Sequence, residues 1–319
     1  MLKKLVRVLG VLFLGVLLVA CGQGGGQDSA AADGSGEGKV KVASSFSIIT
    51  DMAEEIGGEH VTVHNFVPIG TDPHEYDPRP EDIKAMTDAD ILVYNGLNLE
   101  GGKGGWLTKL ANSVNFPEDK RYALCDSIEP KYLKDEAGQK EINPHAFLDP
   151  NVGITMAEAL RDALVKEDPD HAEDYKKNAE KYLADLKNVE KEYAEKLGSL
   201  TGAERAFIAS EQAFQYMADR YDLNEGFIWA IDTDETGTPD QIQNAIHFVQ
   251  ENKPKVLFVE SNVDTRPMET VSNETGVPIY KTPIFSDEIG KKGEPGDTYI
   301  KFLKHNLKHI YQGLTQGNA

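Results

Sequence analysis

Cysteine is scarce in this sequence of 319 residues, which contains only two. Two cysteines exclude a disulfide-rich scaffold and a cysteine-rich zinc site. Basic residues are also few, since 33 Lys and Arg stand against 53 Asp and Glu, and the net charge is −20. Because a phosphate backbone binds to a basic surface, this balance argues against a nucleic-acid partner. No apolar run reaches the roughly 20 residues that span a bilayer, and the length suggests about two domains.

The N-terminus has the pattern of an export signal. A basic head with Lys3, Lys4 and Arg7 precedes an apolar run over residues 8–20, and the run ends in LVAC at Cys21. This ending resembles the lipobox of bacterial lipoproteins, in which the signal is cut before a cysteine that then carries lipid. We therefore expect a signal peptide over 1–20, lipid on Cys21 and an anchor to the outer face of the cell membrane. An ordinary secretory signal with an incidental cysteine is the alternative.

Residues 21–39 predict a flexible tether, because they are rich in glycine and contain nothing that could pack in a core. From residue 40 onwards, short apolar runs alternate with amphipathic helical patterns. The runs predict buried strands at 61–67, 91–94, 205–209, 227–231, 255–259 and 277–280. The helical patterns cover 47–57, 80–88, 153–166, 211–221, 239–252 and 297–314. This alternation is typical of α/β proteins with mostly parallel sheets flanked by helices.

One stretch interrupts the alternation, because residues 169–198 have a helical pattern and no strand. Their apolar spacing between Pro169 and Gly198 predicts a helix of about 29 residues, roughly 44 Å long. We interpret it as a backbone helix that joins an N-terminal lobe, residues 40–168, to a C-terminal lobe, residues 199–319. An ordinary amphipathic surface helix is the alternative, since it would show the same pattern.

Two histidines occur in Pro-His steps of similar context. His74 lies in GTDPHEYDP and His145 lies in NPHAFLDP, and each stands in a proline-rich loop before a predicted helix. Proline stiffens a loop, which suits a metal ligand that must be held in place. Either histidine alone would more often be an ordinary loop residue. The matching context of the two favours a shared function.

Two carboxylates follow predicted strands in the second half of the chain. Glu211 comes directly after the strand at 205–209, and Asp287 lies in IFSD beyond the strand at 277–280. Each has a simpler interpretation, Glu211 as a charge favoured at a helix N-terminus and Asp287 as a turn residue. Ligands of open α/β sheets gather at the carboxyl ends of strands, where all four polar residues lie. This placement suggests a cleft site with two residues from each lobe.

These four side chains would suit a divalent cation. Two neutral imidazoles and two carboxylates carry a charge of −2. Carboxylates favour harder ions such as Mn(II), whereas imidazole suits Zn, Cu, Fe and Ni. The mixed set therefore fits Mn(II) or Fe(II), with Zn(II) feasible.

The chain resembles the metal-binding lipoproteins of bacterial manganese ABC importers, the cluster A-I group that includes streptococcal lipoproteins first described as adhesins. The motifs that carry the resemblance are GTDPHEYDPRPED, NPHAFLDP, ASEQAFQYMADRY, GTPDQI, LFVESNVDTRPMETV and IFSDEIGKKGEPGDTY. It covers roughly residues 40–315. It implies two α/β lobes joined by one long helix and metal ligands at His74, His145, Glu211 and Asp287. Zinc members usually have a third histidine where Glu211 stands, so the resemblance favours manganese.

The function that the resemblance implies is capture of Mn(II), with Zn(II) or Fe(II) as alternatives, and delivery to an ABC permease driven by a cytoplasmic ATPase. We expect a monomer that is not an enzyme. A catalytic metal site keeps an open position, whereas four protein ligands close the shell, and no HExxH motif or nucleophile elbow is present. A surface adhesin is the other alternative, although no host-binding motif is visible.

Other signals are weaker. The acidic stretch 232–237 faintly resembles a calcium loop but lacks its bidentate glutamate. His305 and His309 lie one helical turn apart and are interpreted as surface residues. Glu260, at the end of a predicted strand, is interpreted as a supporting carboxylate rather than a ligand. Cys125 is interpreted as a buried, inert thiol.

Overall fold

The computed structural model describes residues 38–134, 140–231 and 237–318. In these ranges the chain forms two parallel β-sheets, one antiparallel two-stranded sheet and the helices around them. The predicted signal peptide, the predicted lipidation site at Cys21 and nearly all of the predicted tether lie outside the described residues. Residues 232–236 of the acidic stretch lie outside them as well. In the part of the chain that is described, no helix is both long and apolar enough to cross a bilayer.

Strands and helices alternate along most of the described chain. The strands are β1 Val40–Ser44, β2 Val61–Asn65, β3 Ile91–Tyr94, β4 Arg121–Ala123, β5 Tyr132–Lys134, β6 Lys140–Ile142, β7 Ala206–Ile208 and β8 Asn224–Gly226. The helices are α1 Ser47–Gly57, α2 Pro80–Asp88, α3 Trp106–Ser113, α4 Pro150–Glu167, α5 Ala172–Gly198, α6 Gln215–Arg220, α7 Pro239–Asn252, α8 Arg266–Thr275 and α9 Tyr299–Gln316.

The N-terminal sheet has four parallel strands in the order β2-β1-β3-β4. Val42 of β1 pairs with Val63 of β2 on one side and with Ile91 of β3 on the other. Ile91, Leu92 and Val93 are all buried, although their side chains alternate between the two faces of the sheet. Burial on both faces is expected of a parallel sheet that is covered by helices. It also explains why β3 was predicted from an unbroken apolar run.

The C-terminal sheet starts from β7 and β8, which pair in parallel. The predicted strand 255–259 lies next to β7, where the Phe258 N–H donates to a β7 carbonyl (2.9 Å). The predicted strand 277–280 lies next to that segment through a parallel bridge between Leu257 and Ile279. Both segments are therefore present as extended chain in a parallel arrangement, although neither forms a regular strand.

Two boundaries in this half were predicted wrongly. The strand predicted at 227–231 is instead β8, three residues earlier. In the predicted run Trp229 forms an isolated bridge, while Ile228 and Trp229 are buried in a side-chain cluster. The helix predicted from residue 211 begins four residues later as α6, because Glu211 forms a parallel bridge with Trp229. An apolar run in the sequence indicates a buried segment, and burial alone does not distinguish a strand from a buried loop.

Three helices match their predicted bounds. These are α1, α2 and α7. In α7, Thr238 caps the first turn by accepting from the Gln241 N–H (3.3 Å), and Pro239 follows at the first helical position. The short helices α3 and α8 and the β5–β6 hairpin were not predicted, since elements this short hold little of a repeating pattern. The helix α2 is as short, with nine residues, but Pro80 and two acidic residues mark its start.

The long predicted helix is α5, whose 27 residues span roughly 40 Å. It begins three residues later than predicted because Pro169–His171 form a 3₁₀ turn. Asn178 Nδ2 donates to the Ile56 carbonyl of α1 (3.1 Å), and the Tyr193 hydroxyl donates to the Leu303 carbonyl of α9 (2.8 Å). The fold class is therefore confirmed as α/β, with parallel sheets, flanking helices and one long helix that contacts both halves. The lobe boundaries at 168 and 199 stay a prediction.

Candidate metal centre

His74 lies in the loop that follows β2, and two hydrogen bonds hold this part of the loop. The His74 backbone N–H donates to Asp72 Oδ1 (2.7 Å). Trp106 Nε1 donates to the Pro73 carbonyl (2.8 Å), which fastens the loop to α3. With Pro73 also restricting the backbone, the buried imidazole has a defined position.

His145 opens the 3₁₀ turn His145–Leu148 directly before α4 and is fully buried. The side-chain amide of Asn95 donates to the Pro144 carbonyl (3.0 Å). Asn95 is the residue that follows β3, so this hydrogen bond ties the His145 turn to the carboxyl edge of the N-terminal sheet. Both predicted histidines therefore lie at that edge.

Glu211 lies past the carboxyl end of β7 and is fully buried. The backbone N–H groups of Ser210 and Glu211 donate to the two carboxylate oxygens of Glu260 (3.1 and 3.0 Å). Glu260 thus holds the backbone from which Glu211 projects. This agrees with the supporting role expected for Glu260 from the sequence.

Asp287 lies beyond the last segment of the C-terminal sheet and is also buried. The Ser286 hydroxyl and the Asn262 side-chain amide donate to Asp287 Oδ2 (3.1 and 3.3 Å). Two residues further on, the Ile289 N–H donates to Ser47 Oγ of α1 (3.2 Å), which joins this loop to the N-terminal half. Asp287 Oδ1 is the oxygen that faces the histidines.

The predicted ligands gather around His145. His145 Nε2 lies 3.3 Å from His74 Nε2, 3.2 Å from Asp287 Oδ1 and 3.6 Å from Glu211 Oε1. His74 Nε2 lies 3.8 Å from Asp287 Oδ1. A metal with bonds of about 2.0–2.2 Å places its neighbouring ligand atoms roughly 3.0–3.6 Å apart. These four separations are close to those between a metal's ligands. The ligand atoms of His74, His145 and Glu211 all lie within 4.8 Å of one another, whereas Asp287 lies outside that group and approaches the two histidines.

The electrostatics of the cluster also suit a cation. Burial of Asp287 opposes ionisation, but the adjacent His145 and His74 outweigh it and hold the pKa of this carboxyl below its usual range. Asp287 is thus kept as a carboxylate, the form that binds metal. Metal ligation needs both imidazoles in the neutral form, and the two carboxylates then leave a charge of −2 that a divalent ion would balance.

The weaker candidates take other roles. The imidazoles of His305 and His309 have centroids 4.4 Å apart, but His305 Nε2 pairs with the Pro283 carbonyl (2.9 Å). Both histidines are partly buried rather than fully at the surface, and burial lowers the pKa of His309 to about 4. Cys125 is buried as predicted, and burial raises the pKa of its thiol, which keeps it unreactive. Among the described residues, the only group of three or more His, Cys, Asp or Glu with ligand atoms within 4.8 Å of one another contains His74, His145 and Glu211.

Sequence reasoning missed residues that hold the ligand loops together. Trp106, which anchors the His74 loop, is 33 residues from its partner. The Gly70 N–H donates to the Glu288 carboxylate across 218 residues, so the loop of His74 is joined to the loop of Asp287. No local pattern marks such contacts; for Glu288 the only signal is its position next to a predicted ligand.

The fold matches solved structures of metal-binding proteins. The Mn-bound periplasmic metal binding protein from Candidatus Liberibacter asiaticus aligns with a TM-score of 0.76 and 28% identity, over 86% of this chain and 99% of that one. The periplasmic zinc binding protein TroA from Treponema pallidum aligns with a TM-score of 0.78 over 88% of this chain and 100% of that one, at 23% identity, which shows a shared fold alone. Fold and buried cluster together define a class, the periplasmic metal-binding proteins.

Within this class, the chain belongs to the family described as zinc-uptake complex component A, periplasmic (ZnuA), whose model matches residues 42–313. It is 41% identical over 315 residues to the iron ABC transporter substrate-binding lipoprotein MtsA of Streptococcus pyogenes serotype M1, covering 98% of this chain and 99% of that protein. It is 39% identical over 317 residues to the manganese ABC transporter substrate-binding lipoprotein PsaA of Streptococcus anginosus, covering 99% and 100%. The predicted resemblance is confirmed, and these relatives are substrate-binding proteins of transporters rather than enzymes.

Proposed function

We propose that this protein captures Mn(II) outside the cytoplasm and delivers it to an ABC permease driven by a cytoplasmic ATPase. The observation that carries the proposal is the convergence of His74, His145, Glu211 and Asp287, with ligand atoms 3.2–3.8 Å apart in four measured pairs. Two carboxylates give this set the hard oxygen donors that Mn(II) prefers, and the imidazoles add affinity. The relative named for manganese, PsaA, and the Mn-bound solved structure support this choice.

Fe(II) is the second candidate for the cargo, because the relative MtsA is named for iron. The same two imidazoles and two carboxylates suit Fe(II), and Zn(II) binds such sites well by the usual order of metal affinities. Affinity in the test tube therefore ranks the metals differently from transport in the cell. The metal that the protein delivers therefore has to be identified by measuring metal uptake in cells.

The proposal also includes a lipid anchor at the N-terminus and two lobes joined by a helix. Residues 1–20 are a signal peptide, Cys21 carries lipid and the tether that follows holds the protein near its permease, which raises the effective concentration of loaded protein there. We assign residues 40–168 and 199–319 to the two lobes and residues 169–198 to the helix that joins them. The protein acts as a monomer. Adhesion is not part of the proposal.

Native mass spectrometry tests the site. The chain without its signal peptide, with Cys21 replaced by serine, is stripped with a chelator and offered Mn(II), Fe(II) and Zn(II) separately. We expect one retained ion per chain, lost in His74→Ala and in Asp287→Ala. His247→Ala is the matched control, because His247 is an exposed helical residue paired only with Glu251 in the measured ion pairs. Failure to retain any ion would overturn the proposal.

Metal uptake by cells tests the cargo. Deletion of the gene is expected to lower cellular manganese, and the wild-type protein, but not Asp287→Ala, is expected to restore it. Loss of iron with manganese unchanged would replace Mn(II) by Fe(II) as the cargo.

A further inference from the structure

Asn143 lies two residues before His145 and is fully buried. Its Oδ1 accepts from the His145 backbone N–H (3.1 Å) and lies 2.8 Å from His145 Nδ1. Its Nδ2 donates to the Gln212 carbonyl (2.9 Å) and to Gln215 Oε1 (3.1 Å). One side-chain amide thus touches a histidine of the site on one side and the segment that follows Glu211 on the other.

The orientation of this amide is determined by its neighbours. A backbone N–H can only donate and a backbone carbonyl can only accept, so the oxygen of Asn143 faces His145 and the NH₂ group faces Gln212. Because the amide oxygen can only accept, His145 Nδ1 carries the hydrogen. The lone pair of the neutral imidazole is then on Nε2, the nitrogen that faces His74, Glu211 and Asp287.

The other end of the amide secures Glu211. Gln212 is the next residue in the chain, and its N–H donates to the Trp229 carbonyl (3.0 Å) while its carbonyl accepts from Asn143. The backbone on the other side of Glu211 donates to Glu260. The backbone on both sides of Glu211 is therefore hydrogen-bonded, and Asn143 provides the hydrogen bond that comes from the N-terminal half.

We propose that Asn143 is a positioning residue that couples the two halves of the metal site. Its oxygen keeps the hydrogen of His145 on Nδ1, so that the lone pair of Nε2 faces the metal. Its NH₂ group holds the backbone next to Glu211 and so keeps Glu211 near that nitrogen. Separation of the two halves breaks the bonds of the NH₂ group, while the bond of the oxygen to His145, in the same half, is kept. The inference rests on the proposed function and adds a residue that binds no metal itself. Hydrogen-bond partners of metal ligands are worth about 10–100-fold in affinity.

Three variants of the chain that starts at Cys21→Ser separate the two ends of the amide. Asn143→Asp is isosteric and keeps the acceptor for His145 but cannot donate to the Gln212 carbonyl. Asn143→Ala removes both ends. Gln215→Ala is the matched control, since it removes one acceptor of the amide and leaves its bonds to His145 and Gln212. The readouts are the His145 tautomer from ¹⁵N NMR of the ring, amide hydrogen exchange over 211–216 and Mn(II) affinity from chelator competition.

We expect Asn143→Asp to keep the Nδ1–H tautomer and to speed exchange over 211–216 by roughly tenfold. Asn143→Ala should lose the single tautomer, speed exchange and bind Mn(II) roughly 10–100-fold more weakly. Gln215→Ala should stay within about threefold of wild type in all three. The proposal is overturned if Asn143→Ala keeps both tautomer and affinity, or if Asn143→Asp exchanges no faster than Gln215→Ala. If the wild-type protein binds no metal, the proposed function is overturned instead. The His145 tautomer and the hydrogen exchange of residues 211–216, both measured in the metal-free protein, still test the role of Asn143.

Discussion

At the scale of single residues, Glu211 and Glu225 of the C-terminal half lie in different surroundings. Glu211 Oε1 lies 3.6 Å from His145 Nε2, and the ligand atoms of Glu211, His145 and His74 all lie within 4.8 Å of one another. Glu225, on β8, has a buried carboxyl, and burial raises its pKa to about 8. At pH 7 Glu225 is therefore mostly neutral, whereas a metal ligand at Glu211 has to be ionised.

This difference predicts opposite outcomes for the same isosteric change. Glu211→Gln removes a charged ligand and should weaken Mn(II) binding on the order of 100-fold, since even the hydrogen-bond partners of ligands are worth about 10–100-fold. Glu225→Gln removes no charge at pH 7 and should bind within about threefold of wild type. Chelator competition at pH 7 measures both. Equal losses in the two variants would contradict a ligand role for Glu211.

Asp51 predicts a pH dependence of stability. Its carboxylate accepts from the Tyr299 N–H (2.9 Å) and from the Tyr182 hydroxyl (3.4 Å), and burial raises its pKa to about 7. The folded protein therefore binds this proton more tightly than the unfolded chain, so the contribution of Asp51 to the free energy of unfolding falls as pH rises from about 4 to 7. Asp51→Asn should match wild type near pH 4.

Above pH 7 the variant should be the more stable protein, by about 2–4 kcal/mol, because asparagine has no charge to bury. Urea unfolding at pH 4.5, 6.0 and 7.5 measures the difference between the two proteins, in which other titrating groups cancel. A difference that does not change with pH would show that Asp51 keeps an ordinary pKa.

At the scale of elements, an ion pair joins α6 to the start of α4. Arg220 of α6 pairs with Asp149, which is buried and also caps α4 by accepting from the Asn151 N–H (3.0 Å). Arg220→Ala leaves a buried carboxylate without its cation, a change that is costly in protein interiors. Because Arg220 is itself 40% exposed, we expect a loss of about 1–3 kcal/mol.

Arg266→Ala is the control for this ion pair. Arg266 is 83% exposed and pairs with Asp264 at the surface, so its removal should cost less than about 0.5 kcal/mol. Thermal or urea unfolding of the two variants measures the difference. In the double variant Arg220→Ala/Asp149→Asn, part of the lost stability should return, since the buried charge is then gone; no recovery would assign the loss to packing.

The elements could be predicted where a local signal was strong. The helix α5 was predicted from residues that share one face: Tyr175, Ala179, Tyr182, Leu183, Leu186, Val189, Tyr193 and Leu197, all of which are buried. The helix α7 was predicted from the Thr238-Pro239 start. The strand β4 and the hairpin β5–β6 have three residues per strand, and no period can be read from three residues.

At the scale of the whole molecule, one hydrophobic core continues through both halves. A single cluster of packed side chains includes Val93 of the N-terminal sheet, Leu186 of α5, Phe207 of the C-terminal sheet and Phe302 of α9. A rigid rotation of one half against the other would have to open this core, which is costly in a close-packed interior. Release of metal is therefore expected to depend on the loops that carry the C-terminal ligands.

Hydrogen exchange with and without Mn(II) tests this expectation. Protection on binding should concentrate in residues 210–216 and 284–290, while α5 should change little because its buried face packs against both halves. The His74→Ala protein supplies the control, since it should show no metal-dependent protection. Protection spread evenly over α5 and α9 would point to a rigid-body closure instead.

The sequence by itself determined the class of protein and predicted which residues serve as ligands. His74, His145, Glu211 and Asp287 each lie in a short motif at the end of a strand, and such motifs depend on neighbours in the chain, so they can be read locally. Tertiary structure alone decided how these motifs are held together. The Asn143 amide reaches Gln212 across 69 residues, and Glu288 reaches Gly70 across 218. Hydrogen bonds over such separations depend on how both sheets pack around α5, and packing leaves no periodic or local pattern in the sequence.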